Sequence, residues 1–159
     1  MMKFFLFLLI SLIKTNAMDT HMEMKIIYFN SGKETITEIS KTDRNKISGI
    51  LQNLFSDCTE GLTLYIDEDR IKQIKKNNSG IEVILKKAKV FKTKSLGNYR
   101  ILKILIPFTG DFIGNAKSPS VTIFGGEKDY FTPALVNYAG LNKVKELEMI
   151  IRHVKLPLH

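Results

Sequence analysis

The sequence predicts a single α+β domain: an antiparallel or mixed β-sheet of about six to seven strands, with two main helices at residues 43–56 and 142–154 packed on it. Three observations carry this expectation. Two stretches repeat apolar residues three and four apart, as an amphipathic helix requires. Several shorter stretches alternate apolar with polar residues or run apolar on both sides, as strands do. The connections between them are short and built from Gly, Asn and Ser. The resulting order, ββαβαββββα, favours helices laid on a largely antiparallel sheet.

Met24 to Asn30 is dense in Ile, Tyr and Phe and runs into Asn30-Ser31-Gly32. Strand then tight turn follows, and Glu34 to Ile39 returns as the second strand of a hairpin. Thr42 or Asp43 is expected to cap the next segment. There Ile47, Ile50, Leu51, Leu54 and Phe55 recur at helical spacing, and the helix should stop near Asp57 to Gly61. Leu62 to Ile66 predicts a short strand and Asp67 to Lys76 a short helix, with Asp67-Glu68-Asp69 supplying the cap and first-turn charge.

Ile81, Val83 and Leu85 alternate with Glu82 and Lys86, predicting a half-buried strand whose polar side meets water. The apolar phase shifts at Lys86-Lys87, so Ala88 to Lys94 either continues this strand past a bulge or forms its own. Tyr99 to Ile106 is apolar on both sides, Ile101 and Leu105 on one and Leu102, Ile104 and Ile106 on the other, which predicts a central strand ended by Pro107. Phe108 to Ser120 predicts a long loop holding Gly110, Asp111, Phe112, Ile113 and Gly114. Val121 to Phe124 follows as a strand closed by Gly125-Gly126. Thr132-Pro133 is expected to start a brief helix ended by Gly140. Asn142 should cap the final helix, with Val144, Leu147, Ile151 and Val154 as its buried stripe.

Lys3, the apolar run Phe4 to Ile13 broken only by Ser11, and the polar stretch Lys14 to Ala17 stand in the order of a secretory signal. Thr15 and Ala17 suit a peptidase that needs small side chains, so cleavage is expected after Ala17. The run is about half of the roughly 20 apolar residues that a spanning helix needs, so no spanning segment is expected after cleavage. Residues 1–17 are therefore expected as signal peptide, 18–23 as a flexible lead-in and 24–156 as the domain, exported to the periplasm or beyond the cell. Met18, Met22 and Met24 are alternative starts that would leave a cytosolic domain.

The chain carries 24 basic and 16 acidic residues, a formal charge of +8, and one cysteine. Cys58 alone permits no intramolecular disulfide, and its neighbours Asp57 and Glu60 disfavour a thiolate. His21, His153 and His159 form no spacing that holds zinc on one element, so no metal is expected. Gly125-Gly126 lacks the spacing and following helix of a phosphate loop, and no cofactor is expected. Lysines cluster in the middle third, from Lys72 to Lys103, which suits an acidic protein partner or a solvated face that protects strand edges. Aromatic residues near them are too few for nucleic-acid stacking.

These observations predict a non-enzymatic protein-binding module that uses Lys87, Lys89, Lys92 and Arg100 together with Phe108, Asp111 and Phe112. An immunity or inhibitor protein is one concrete form. The alternative is a small hydrolase whose site assembles around 108–131 from Asp111, Asp129, Tyr130 and His153. A third is an assembly component that offers a strand edge for β-augmentation.

Overall fold

Ser31 and Gly32 both take positive φ, 48° and 83°, the two-residue turn whose twist matches a hairpin. They join β1 (Met24–Asn30) to β2 (Lys33–Thr37), antiparallel with Ile27 opposite Ile36. The computed structural model describes residues 22–130 and 133–155. The predicted signal and most of the lead-in lie outside the described residues. Of the lead-in, Met22 is buried and Glu23 pairs with Lys86.

Seven strands form one antiparallel sheet in the order β2-β1-β4-β5-β6-β7-β3. Besides the hairpin these are β3 (Glu60–Leu62), β4 (Ser79–Lys92), β5 (Asn98–Pro107), β6 (Val121–Gly126) and β7 (Ala134–Asn137). β2 and β3 occupy opposite edges, so α1 (Lys41–Ser56) carries the chain across the whole sheet and α2 (Glu68–Asn77) carries it back. β4 to β7 then run as a meander, and α3 (Leu141–Lys155) closes the fold. The α+β class with a single antiparallel sheet is as the sequence predicts; the described helices number three.

Strand alternation assigns the helices to faces. Ile26 and Tyr28 of β1, Ile81, Val83 and Leu85 of β4, and Ile104 and Ile106 of β5 pack with Leu51, Leu54 and Phe55 of α1 and Val144, Leu147 and Ile151 of α3. Phe29, Leu105, Phe124 and Ala134 point the other way and pack with Ile71 and Ile74 of α2 and with Ile66. The sheet is thus sandwiched, with two helices on one face and one short helix on the other. Buried Asn137 ties the layers: its Nδ2 donates to the Leu54 carbonyl at 2.9 Å, and its Oδ1 accepts from the Ala139 amide at 2.9 Å.

Several local expectations are corrected. Ser40, not Thr42 or Asp43, caps α1, its Oγ accepting the Asp43 amide at 3.1 Å. β3 lies at 60–62 rather than 62–66. The segment at Pro133 is strand β7, not a helix: Ala134 to Asn137 are all buried between β6 and β3, where a short run is satisfied by ladder bonds on both sides. Gly125 and Gly126 belong to β6 and pair with Ile104 and Lys103. α3 begins at Leu141, with the Val144 amide bonded to the Gly140 carbonyl, so Asn142 lies inside the first turn. Ile101 packs with Ile104 and Ile106 rather than with Leu105. The register shift between Ile84 and Lys89 accompanies this change, and β4 runs continuously through it.

Candidate functional site

α2 is short, so it covers only part of its face of the sheet. Antiparallel register places side chains in rows across that face. Phe29 and Gly80 lie beneath α2; the next row is Ile36, Ile27, Glu82, Leu105 and Phe124; the next is Lys25, Ile84, Lys103 and Gly126. Where α2 ends its cover, a cavity of 570 Å³ opens. Tyr65, Ile66 and Ile71 form its apolar wall, Asp67, Glu68 and Lys72 its helix-side rim, and Glu82, Lys103, Asp129 and Tyr130 its floor and far side.

Local chemistry explains each placement. Asp67 caps α2, its Oδ1 accepting the Arg70 amide at 2.7 Å, which leaves Glu68 and Asp69 in the first turn where the helix dipole favours them. Gly126 lets the chain fold back over the strand end: a Cβ there would stand 1.7 Å from the Asp129 carbonyl oxygen. That return places Tyr130 over the sheet, with its ring under the Lys103 ammonium, 4.6 Å from the centroid.

Glu82 is the buried charge of this face. Its Oε2 accepts from Lys75 Nζ at 2.6 Å, and its Oε1 accepts from the Tyr130 hydroxyl. Lys75 also reaches Glu34 at 3.0 Å, so one ammonium joins α2 to β2 and β4. Burial, then the Glu82 charge, pushes the Tyr130 hydroxyl well above the ordinary tyrosine range. Burial opposes the charge on Lys75, but its bonds to Glu82 and Glu34 prevail and raise its pKa. Both carboxylate oxygens of Glu82 are held, so this network positions α2 and the 129–130 turn. The sequence places Glu82 on a solvated strand face; α2 and Tyr130 cover it, a contact that strand periodicity does not carry.

The residues predicted for binding are distributed, not gathered. Lys92 and Arg100 alternate with Phe91 and Tyr99, which pack toward α1, so they point to the α2 side; Lys89 shares the phase of Phe91, and Lys87 lies within the register shift. Arg100 pairs with Glu127 at 2.9 Å. Phe108 is buried in the core on the α1 side. Phe112 stacks edge-on against Phe124 at 5.1 Å, with Arg70 above it. Asp111 is exposed and borders a separate hollow of 150 Å³ at the end of α2.

The hydrolase residues are likewise divided. Asp129 and Tyr130 line the 570 Å³ cavity, Asp111 lines the smaller hollow, and His153 lies on α3 across the sheet. Cys58 is fully buried and donates to the Leu54 carbonyl at 3.2 Å. Burial, with Asp57 adding to it, pushes the thiol up to about 12, the direction its acidic neighbours lead one to expect. Among the described residues no group of three or more His, Cys, Asp or Glu side chains is placed to hold a metal ion, and no helix is long and apolar enough to cross a membrane.

Comparison with protein-family models, curated proteins and solved structures finds no match. The fold defines the class as an α+β protein with helices on both faces of one antiparallel sheet and a cavity beside the shorter cover.

Proposed function

We propose that this chain is a non-enzymatic protein-binding module, exported and acting outside the cytoplasm, that docks an acidic protein on the sheet face left open beside α2. The observation that carries the reading is the composition of that open face. Ile36 is 60% exposed, Val90 is 51% exposed, and Ile27 and Ile84 are half-buried. Cations border these side chains. Among the described residues, Lys25, Lys92 and Lys103 have no carboxylate within 4.0 Å, whereas Lys72, Lys75, Lys86, Lys94 and Arg100 are paired. An apolar strip edged by uncompensated positive charge complements an acidic surface that brings its own apolar centre. The division of Asp111, Asp129 and His153 among separate places supports binding over hydrolysis.

The test uses mature protein with a photo-crosslinker at Val90, applied to the envelope of its source at low and high salt. The expected result is a crosslink to an acidic protein that salt weakens, and that Lys25→Glu with Lys92→Glu lowers by about tenfold or more. Lys145→Glu, on α3 across the sheet, should leave it unchanged. A crosslink indifferent to the double reversal, or none at either salt, refutes the proposal. Export is checked separately by fractionating the source cells and weighing the intact protein: recovery outside the cytoplasm without residues 1–17 supports it, whereas recovery in the cytoplasm, or a mass retaining residues 1–17, opposes export by a cleaved signal, because initiation at Met18 leaves the same mass as cleavage after Ala17.

A further inference from the structure

We infer that the cavity between α2 and β5 binds a small zwitterion of the amino-acid or short-peptide class, its carboxylate at Lys103 and its ammonium at Asp129. This goes beyond the protein-docking reading and uses different residues from the test of that reading.

Among the described residues, the charged side chains that line the cavity each have an ion-pair or hydrogen-bond partner within the protein except for two. Glu82 is held by Lys75 and Tyr130. Asp67 is bound to the α2 amide of Arg70. Lys72 reaches Asp69 at 3.2 Å and Glu68 at 4.0 Å. Lys103 and Asp129 remain. They border the same cavity, yet among the described residues neither has an opposite charge within 4.0 Å, and they do not pair with each other. The ammonium of Lys103 stands over the Tyr130 ring, 4.6 Å from its centroid.

Tertiary structure holds the two charges in place. Lys103 lies on a central strand opposite Gly126, and Asp129 returns over Gly126 by the close packing that excludes a Cβ there. Between them and α2 the wall is apolar, with Ile66 and Ile71 and the rings of Tyr65 and Tyr130. The volume of 570 Å³ falls in the range of sites for small ligands, about 300–1,000 Å³. A purely anionic ligand would satisfy Lys103 but face the carboxylates of Asp129 and Asp67; a purely cationic one would meet the reverse at Lys103. A ligand with one charge of each sign and an apolar body satisfies Lys103 and Asp129 together.

Titration of the mature full chain with L-leucine and with the dipeptide Ala-Leu, followed by amide NMR and calorimetry, tests this. The expected result is saturable binding of at least one of them, with shifts centred on Ile66, Ile71, Lys103 and Tyr130; which one binds separates free amino acid from peptide. The N-acetyl and the C-terminal amide forms of whichever one binds should each bind at least about tenfold more weakly, the loss of one charge-assisted contact. Asp129→Asn should abolish the penalty of the acetyl group, and Lys103→Met that of the amide, in variants shown by thermal melting to be folded. Absence of shifts with both ligands up to about 10 mM, well past the millimolar affinity of a weak ligand, overturns the inference. So does equal binding of the blocked and free forms of the ligand that binds, or shifts that fall outside the cavity.

Discussion

Replacing Lys75 by Met should destabilise the protein by about 2–4 kcal/mol, because it strands a buried carboxylate. The side chains of Lys75 and Glu82 are only 17% and 12% exposed, and their charges meet at 2.6 Å. Removal of one member of a fully buried pair costs about 3–5 kcal/mol, and the residual exposure of this one trims the figure. The Tyr130 hydroxyl still donates to Glu82, which is why the lower end is included. Changing both residues, Lys75→Met with Glu82→Met, removes the stranded charge along with its partner and should cost less than Lys75→Met alone. Urea unfolding of the wild type, both single variants and the double variant closes the cycle. A cost below about 1 kcal/mol for Lys75→Met would place the pair in the range of exposed surface bridges and refute the view that it anchors α2. A double variant as costly as the sum of the singles would refute the coupling.

Alkaline titration should reveal Cys58. Its folded pKa is raised from 9.0 to about 12, so its contribution is fully present below pH 9 and lost as pH rises toward 12, amounting to about 4 kcal/mol over the whole interval. Lys75 and Tyr130, also raised, act with the same sign above their ordinary values near 10. Stability measured at pH 8 and pH 11 should fall less in Cys58→Ala than in the wild type; an equal fall contradicts the assignment. Gly80→Ala should cost about 1–3 kcal/mol by overpacking, since its Cβ would lie 2.4 Å from Phe29 Cζ and 2.5 Å from the Ile106 carbonyl oxygen; an unchanged urea midpoint would contradict that close approach. Ser40→Ala should cost about 1 kcal/mol through loss of the α1 cap, whereas Thr42→Ala should be nearly silent, and the reverse order would return the cap to the position that the sequence suggests.

Much of the fold was legible because its signals are local. The first hairpin declares itself in Ser31-Gly32, and α1 in the spacing of Ile47, Ile50, Leu51, Leu54 and Phe55. β5 declares itself in a run too apolar for an edge. Ala134 to Asn137 is a strand where Thr132-Pro133 suggests a helix, because Pro133 opens a helix as readily as it precedes a strand, and four residues are too few to show a period. The candidate site was legible only in pieces. Asp129 and Tyr130 belong to the 108–131 group that residue types suggest, but Glu82 has the alternation of an ordinary solvated strand residue.

The sequence by itself determined the α+β class, the central strand, the amphipathic helices and acidic neighbours that disfavour a thiolate at Cys58, because periodicity, turn chemistry and neighbouring charge act over a few residues. Only the tertiary structure decided which face each strand residue meets. α2, crossing back over the sheet, converts Glu82 from a solvent-facing position into the centre of an ion pair with Lys75, 7 residues away in sequence, and of a hydrogen bond with Tyr130, 48 residues away. The same crossing leaves Lys25 and Ile36 uncovered and holds Lys103 and Asp129 at one cavity. Burial of that kind depends on which element lies overhead, and no local pattern encodes it.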